Sequence, residues 1–159
     1  MKTINILAAL VAFLVFATPS QADTHYSIDK VIDNLVQIES NGKANALGDW
    51  TKVKVMSSEN KLVELDYPRA VGILQIHPVM IKEANRILGK EVFTVADRLN
   101  PIKSRQVAKV FLAHQVDRYK KKYGEYPSEL RLACSWNSGS ITKQMPSDYL
   151  KKYTKFEEM

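Results

Sequence analysis

The chain has 159 residues, a formal net charge of +6 and a single cysteine, Cys134. One cysteine excludes an internal disulfide, and the length suits one domain with its own hydrophobic core. The positive charge favours anionic partners, but the sequence has no recognised nucleic-acid-binding motif, so we predict no nucleic-acid partner.

The first 22 residues have the pattern of a secretory signal peptide. Lys2 supplies a positive charge, residues 6–17 are all apolar, and small residues lie three and one positions before a cut after Ala22. The apolar run is shorter than the ~20 residues that a membrane span needs, although an uncleaved anchor is the alternative. We therefore expect cleavage near Ala22, one domain over residues 23–159, no membrane span in the mature chain, and a periplasmic or secreted product.

An amphipathic helix is predicted next. Apolar residues recur at spacings of three and one over residues 28–36, which is the pattern of one helix face. Ser27 is a suitable N-cap, and Asn41-Gly42 supplies a stop signal. Glu39 lies four residues beyond Leu35 and so continues the apolar face. Partial burial there raises the pKa of a carboxyl, as a general acid at neutral pH requires; a solvent-exposed helix-end glutamate is the alternative.

The helical period is lost over residues 43–76. Alternating segments at 51–55 and 61–65 flank a turn-prone sequence, which predicts a small β-hairpin that ends at Tyr67-Pro68. The remaining chain has helical patterns that begin at Pro, Ser or Thr. We predict these helices at about 78–88, after Thr94, from Pro101 to Tyr123, from Pro127 to Trp136, and from Pro146 onward. The predicted fold class is therefore mainly α, with one small β-hairpin between the first two helices.

Four short motifs are spread along the chain. They are Glu39-Ser40, residues 72–76 (Gly-Ile-Leu-Gln-Ile), residues 136–139 (Trp-Asn-Ser-Gly) and residues 147–152 (Ser-Asp-Tyr-Leu-Lys-Lys). In order and spacing they resemble the Glu-Ser, Gly-Leu-Met-Gln-Ile, Tyr-Asn-Ala-Gly and Thr-x-x-Tyr-Val-x-Lys motifs of the lytic transglycosylases. The resemblance covers about residues 28–153 and extends to the goose-type lysozymes. It implies a lysozyme-like fold and cleavage of peptidoglycan glycan strands.

The resemblance implies two catalytic residues. Glu39 matches the catalytic glutamate of the family, and Tyr149 matches its active-site tyrosine. The implied final helix packs back across the cleft and brings the phenol to the acid. Core packing of the Tyr149 ring is the competing interpretation.

The same motifs imply four substrate-binding residues. Amide groups of Gln75 and Asn137 can bind sugar hydroxyls, and Trp136 offers an aromatic face. Ser40 completes the set, although support of local structure is its simpler role. Core packing for Trp136 and a turn-shaping role for Asn137 are equally open.

One carboxylate of the hen-type lysozymes is missing. Those enzymes have an aspartate two residues before the corresponding glycine, where this chain has Ala70. Retaining glycosidases generally need two carboxyl groups ~5 Å apart. Asp49 and Asp66 lie in the hairpin region, where turn chemistry is the simpler interpretation. The resemblance therefore implies a mechanism with Glu39 alone, in which the muramoyl O6 closes a 1,6-anhydro ring.

No cofactor is predicted. His25, His77 and His114 are scattered, whereas a metal site needs clustered ligands, and the sequence has no phosphate-binding glycine loop. The expected partner is the peptidoglycan glycan strand, bound by a monomer. A cell-envelope secretion or conjugation apparatus is a further candidate partner.

Two alternative functions stay open at this point. One is a muramidase that cleaves the same bond with water. The other is a non-catalytic glycan-binding or assembly protein on a lysozyme-like fold. The biological setting is equally open between wall turnover, a secretion or conjugation system and phage-type lysis.

Overall fold

The computed structural model describes residues 27–144 and 147–157, so the predicted signal peptide lies outside the described residues. The mainly α fold with one small hairpin is confirmed. Its elements are α1 (Ile28–Ser40), β1 (Trp50–Met56), β2 (Leu62–Pro68), α2 (Pro78–Leu88), a 3-10 helix (Val95–Leu99), α3 (Pro101–Tyr123), α4 (Glu129–Ser138) and α5 (Ser147–Glu157). Over these described ranges, no helix combines the length and the apolar character that a membrane crossing requires.

Local signals determine where the helices begin and end. The Ser27 side chain accepts a hydrogen bond from the N–H of Lys30, and Asn41 ends α1 in the left-handed conformation with φ 52°. Thr94 and Asp97 cap the 3-10 helix reciprocally. These groups satisfy backbone donors and acceptors that a helix end leaves unpaired. The predicted helix limits are accordingly within two residues of those in the structure.

The helices enclose one core that is built around α3. This helix packs on α1, α2 and α4, while α5 packs on α1 and α4. The apolar stripe of α1 is buried as predicted, and each fully buried Leu, Ile or Val stabilises the fold by ~1.5–3 kcal/mol. The end of α1 that carries Glu39 is therefore fixed against α5.

A buried glutamine positions the segment that leads to α5. Gln115 of α3 is fully buried, and its Oε1 accepts a hydrogen bond from the N–H of Ile141 at 3.0 Å. Ile141 is itself buried. The contact anchors the α4–α5 connection on the central helix.

The hairpin is longer than the alternating segments predicted. β1 and β2 pair in one antiparallel register from Trp50 with Pro68 to Met56 with Leu62. The same register continues beyond the strands, because the N–H of Gly48 donates to the carbonyl of Ala70 at 2.8 Å and Leu47 pairs with Val71. This ladder leads directly into residues 72–76, here called the glutamine loop.

Arg98 of the 3-10 helix ties the hairpin to the glutamine loop. It is 5% exposed, and its guanidinium donates to the carbonyls of Arg69 (3.0 Å) and Ile76 (3.1 Å) and to the hydroxyl of Tyr67 (3.0 Å). Gly72 packs so closely on the Arg98 carbonyl that a Cβ there would collide with it. The sequence patterns did not single out Arg98, because all these partners lie 22 or more residues away.

Removal of the Arg98 guanidinium should destabilise the fold. Arg98→Met keeps the aliphatic stem but leaves buried carbonyls without donors, and we expect a loss of about 3 kcal/mol in the free energy of unfolding. Urea denaturation measures this loss. Arg86→Met is the matched control, because Arg86 is exposed and its ion pair is with Glu83, three residues earlier in the same helix. Equal midpoints for the two variants would show that Arg98 is dispensable.

Candidate functional site

Glu39 and Tyr149 are in direct contact. Glu39 is partly buried in the last turn of α1, and Tyr149 of α5 is 7% exposed. The phenol donates to Oε1 of Glu39 at 2.9 Å, across 110 residues of sequence. The predicted return of the last helix to the acid is therefore present in the structure.

Burial dominates the electrostatics of this pair. Desolvation raises the pKa of Glu39 above its usual value, and the Tyr149 hydrogen bond and the positive charge of Lys152 lower it by less. Burial and the nearby Glu39 carboxyl raise the pKa of Tyr149 far above its usual range. The phenol therefore stays protonated and remains a donor, while the carboxyl retains its proton to a higher pH than an exposed glutamate does.

Ser40 and Trp136 hold the glutamine loop from two different helices. Ser40 Oγ donates to the carbonyl of Ile73 at 2.8 Å, and the indole N–H of Trp136 donates to the carbonyl of Leu74 at 3.2 Å. Trp136 is 7% exposed and packs edge-to-face on Phe111, with 5.8 Å between ring centroids. Its burial leaves almost no aromatic face for a sugar, so core packing, the alternative to the predicted substrate contact, accounts for Trp136.

The Gln75 side chain connects the glutamine loop to the start of the hairpin ladder by hydrogen bonds. It has a left-handed backbone with φ 48°, and its Nε2 donates to the carbonyls of Gly72 at 2.9 Å and Ala46 at 3.4 Å. Its Oε1 lies against Gly48, where an added Cβ would collide with this oxygen and crowd Ala70. Gly48 was missed in the sequence; the only signal was a glycine just before an alternating segment, which can mark a close approach.

Asn137 lies in the last turn of α4 with an exposed side chain. The turn that follows is shaped instead by Ser138, whose Oγ donates to the carbonyl of Ser140 at 3.0 Å, and by Gly139 with φ 73°. Solvent-accessible amide groups at this position are compatible with a sugar contact. Substrate binding by Asn137 stays a prediction.

The backbones of the two hairpin aspartates lie at other positions of the ladder than Ala70, where the carboxylate is missing. Ala70 is buried. Asp49 is exposed and lies on the alternate face of the ladder. Burial and the charge of Arg69 lower the pKa of His77, and the nearby charge of Asp49 raises the pKa of His77 by less. The backbone of Asp66 pairs with Lys52, about 13 Å along the strand from Ala70. Catalysis without a second carboxylate stays a prediction.

Other chemistry finds no support in the described part of the chain. Within those residues, no group of three or more His, Cys, Asp or Glu side chains is placed to hold a metal ion. Cys134 is buried in α4, and burial raises the pKa of its thiol, which disfavours the reactive thiolate.

Comparison with known families identifies the chain. The family model described as the transglycosylase SLT domain matches residues 18–158. The chain belongs to this family. Comparisons with curated proteins and with solved structures gave no match. The family match to lytic transglycosylases confirms the resemblance that the four motifs indicated. It begins inside the predicted signal peptide, so cleavage near Ala22 stays a prediction.

The transglycosylase domain offers a test of the contact between Gly48 and Gln75. Gly48→Ala places a methyl group on Gln75 Oε1, and overpacking of this kind costs about 1–3 kcal/mol of stability. In the double variant with Gln75→Ala the collision with the amide oxygen is removed, and only the crowding against Ala70 remains. We expect the double variant to be more stable than the sum of the single effects predicts, as measured by urea denaturation. Additive effects would exclude this contact as the reason for glycine at position 48.

Proposed function

We propose that this chain is a peptidoglycan lytic transglycosylase that cleaves the β-1,4 bond from N-acetylmuramic acid to N-acetylglucosamine, with Glu39 as its single catalytic carboxyl. The observation that supports this most is the Glu39–Tyr149 pair, a partly buried carboxyl with a raised pKa that an uncharged phenol orients at 2.9 Å. A group that must first give a proton at neutral pH needs this environment.

In the first step, Glu39 is the general acid. Its proton passes to the glycosidic oxygen, the bond from C1 to that oxygen breaks, and the N-acetylglucosamine side leaves as an alcohol. The carbonyl oxygen of the substrate's own N-acetyl group stabilises the positive charge that develops at C1, as in substrate-assisted glycosidases. This assistance is required because Ala70 supplies no carboxylate.

In the second step, Glu39 is the general base. The carboxylate takes the proton of the muramoyl O6 hydroxyl, and O6 forms the new bond to C1 as the N-acetyl oxygen leaves. The product has a 1,6-anhydro ring, and Glu39 is protonated again for the next cycle. No water is consumed, so the reaction transfers the bond within the substrate.

Tyr149 contacts one of the two carboxyl oxygens of Glu39, and we propose that the other oxygen takes part in proton transfer. Its phenol donates to Oε1, while Oε2 accepts no hydrogen bond from the described residues. In the proposed mechanism Oε2 therefore exchanges protons with the substrate, first with the glycosidic oxygen and then with O6. A fixed Oε1 contact holds the carboxyl in one orientation for both transfers.

The substrate suggests where the protein works. Family members act on peptidoglycan, which lies outside the cytoplasm, and we propose a periplasmic or secreted protein on the basis of the N-terminal sequence. Cleavage after Ala22 would remove Lys2 and leave 22 basic and 17 acidic residues, a net charge of +5 that is favourable for binding to an anionic wall polymer.

The reaction is tested by digestion of purified sacculi and mass analysis of the products. Anhydromuramoyl products, lighter than hydrolytic products by one water, are expected. Hydrolytic products alone would identify a muramidase. Tight binding of sacculi without release of any product would identify a glycan-binding protein instead.

Glu39→Gln should abolish most of the activity but keep the fold. The amide is nearly isosteric and accepts the Tyr149 hydrogen bond, but it has no acidic proton to give, so we expect turnover to fall about 100- to 10,000-fold. Asp49→Asn is the matched control and should retain activity. A large loss in folded Asp49→Asn would point to a mechanism with two carboxylates.

The same Glu39→Gln variant has an expected stability signature. The pKa of Glu39 is higher in the folded chain than in the unfolded chain, so the folded state loses stability as pH rises from about 4.5 through the folded pKa. Glu39→Gln should thus be the more stable protein at neutral pH, and thermal melting should show this advantage shrink on acidification. An unchanged difference between pH 4 and pH 8 would contradict the burial of the charge.

Tyr149→Phe should lower turnover and move the pH profile. Loss of a hydrogen bond to a charged group corresponds to about a tenfold or larger loss of activity. Because that bond lowers the pKa of Glu39, its removal should shift the alkaline limb of activity to higher pH. Lys152→Gln also removes an effect that lowers the pKa of Glu39. It should therefore shift the alkaline limb of the pH–activity profile to higher pH as well, but retain turnover at the pH optimum.

Tyr153→Phe is the matched control, because it deletes a buried hydroxyl one helix turn later, where Asn34 donates to it at 3.1 Å. It should reduce stability without a change in the pH profile. A Tyr149→Phe enzyme with wild-type turnover and pH profile would reduce Tyr149 to a packing residue.

A further inference from the structure

The hairpin ladder has two distinct faces. Because one register holds from Gly48 with Ala70 to Met56 with Leu62, alternate residues share a face without interruption. Gly48 and Ala70 adjoin the amide of Gln75 on one face. Trp50 is two residues beyond Gly48, so it lies on this same face about 7 Å further along the ladder.

The opposite face of the ladder is turned to the protein body only in part. Its Tyr67 accepts the hydrogen bond from the buried Arg98 guanidinium and its Val71 is 2% exposed, whereas its Leu47 and Asp49 are exposed. On the Trp50 face, Ala70 is buried next to the glutamine loop, and Trp50 itself is 56% exposed. A large aromatic ring is thus kept in solvent on the face that adjoins the glutamine loop.

This face borders the candidate active site. The glutamine loop is bonded through the Ile73 carbonyl to Ser40, the residue that follows Glu39. The glutamine loop thus contacts the end of α1 on one side and the start of the hairpin ladder on the other. This shared contact is the reason to ask whether a glycan strand with one bond at Glu39 also meets the Trp50 ring.

The surroundings of Trp50 suit a sugar ring better than a protein surface. The next side chains on its face are exposed lysines, Lys52 and Lys54, each about 3.9 Å from a carboxylate oxygen of Glu64. Among the described side chains of this face, the Trp50 ring is thus followed by charged groups, and the exposed apolar Met56 and Leu62 lie at the far end beside the turn. A pyranose fits an aromatic ring followed by charged groups, because its C–H faces are apolar and its edge carries hydroxyls that can meet the indole N–H and the charged groups.

We propose that Trp50 is a substrate-binding residue that stacks on a sugar ring of the same glycan strand whose bond Glu39 cleaves. This inference rests on the proposed function, from which it takes the glycan as ligand. It assigns Trp50 to binding of the strand and not to the chemical step. A buried tryptophan in the core, Trp136, serves as the internal comparison for every spectroscopic test.

Binding is tested in the Glu39→Gln background, which does not consume the ligand. The probes are an N-acetylglucosamine hexamer and soluble glycan strands prepared from sacculi, and calorimetry gives Kd. We expect Trp50→Ala to bind both probes about tenfold more weakly and Trp50→Tyr to retain affinity within about threefold. Tyr126→Ala is the matched control, an aromatic of 55% exposure in the α3–α4 loop, and should bind like the parent.

Fluorescence reports directly on Trp50. The chain has only two tryptophans, and Trp136 is shielded from acrylamide by its burial. Glycan should protect the parent protein from quenching and should have no effect on quenching of the Trp50→Tyr variant. In the otherwise wild-type enzyme, Trp50→Ala should raise KM for sacculi about tenfold with kcat unchanged within about twofold.

The outcomes separate this inference from the proposed function. If anhydro products form but Trp50→Ala changes neither Kd nor KM by more than about twofold, the Trp50 assignment is overturned and the reaction stands. If glycan binding depends on Trp50 but no bond is cleaved, the binding site stands and the proposed chemistry fails. Failure of the Glu39→Gln parent to bind either probe overturns the Trp50 assignment.

Discussion

The carbonyl groups of the glutamine loop are the point on which the rest of the structure depends. Three of them accept hydrogen bonds from distant elements: Ile73 from Ser40 of α1, Leu74 from the indole of Trp136 in α4, and Ile76 from Arg98 of the 3-10 helix. Buried carbonyls need donors, and each of these donors comes from a different part of the fold. The hairpin and the end of α1 therefore have one relative arrangement, with Glu39 next to the loop.

The same arrangement imposes an electrostatic cost. The end of α1 is held where burial raises the pKa of Glu39, and the Tyr149 phenol and the Lys152 charge offset only part of that effect. A fully stabilised carboxylate would be a poor proton donor near neutral pH. The conflict between stability and acidity thus lies at the Glu39 side chain, and the apolar face of α1 that leads to it is buried in the core.

The helices, the hairpin and the Glu39–Tyr149 contact could be predicted, but for different reasons. The helix limits follow from capping residues and from the spacing of apolar residues, and both signals are local in the sequence. The contact between Glu39 and Tyr149, which are 110 residues apart, was instead implied by the resemblance to a known family. Arg98 and Gly48 could not be predicted and the role of Trp136 stayed open between core and substrate, because each depends on a neighbour that is distant in sequence. An indole 62 residues from its carbonyl partner has no local signature.

Small residues beside the glutamine loop are consistent with a single-glutamate mechanism. A Cβ added at Gly48 would meet the Gln75 amide oxygen and the side chain of Ala70, so neutral groups meet at this point. Neutral groups cannot balance a full positive charge at C1. In the proposed reaction the balancing oxygen therefore has to arrive with the substrate, which restricts cleavage to sugars that carry an N-acetyl group beside the scissile bond.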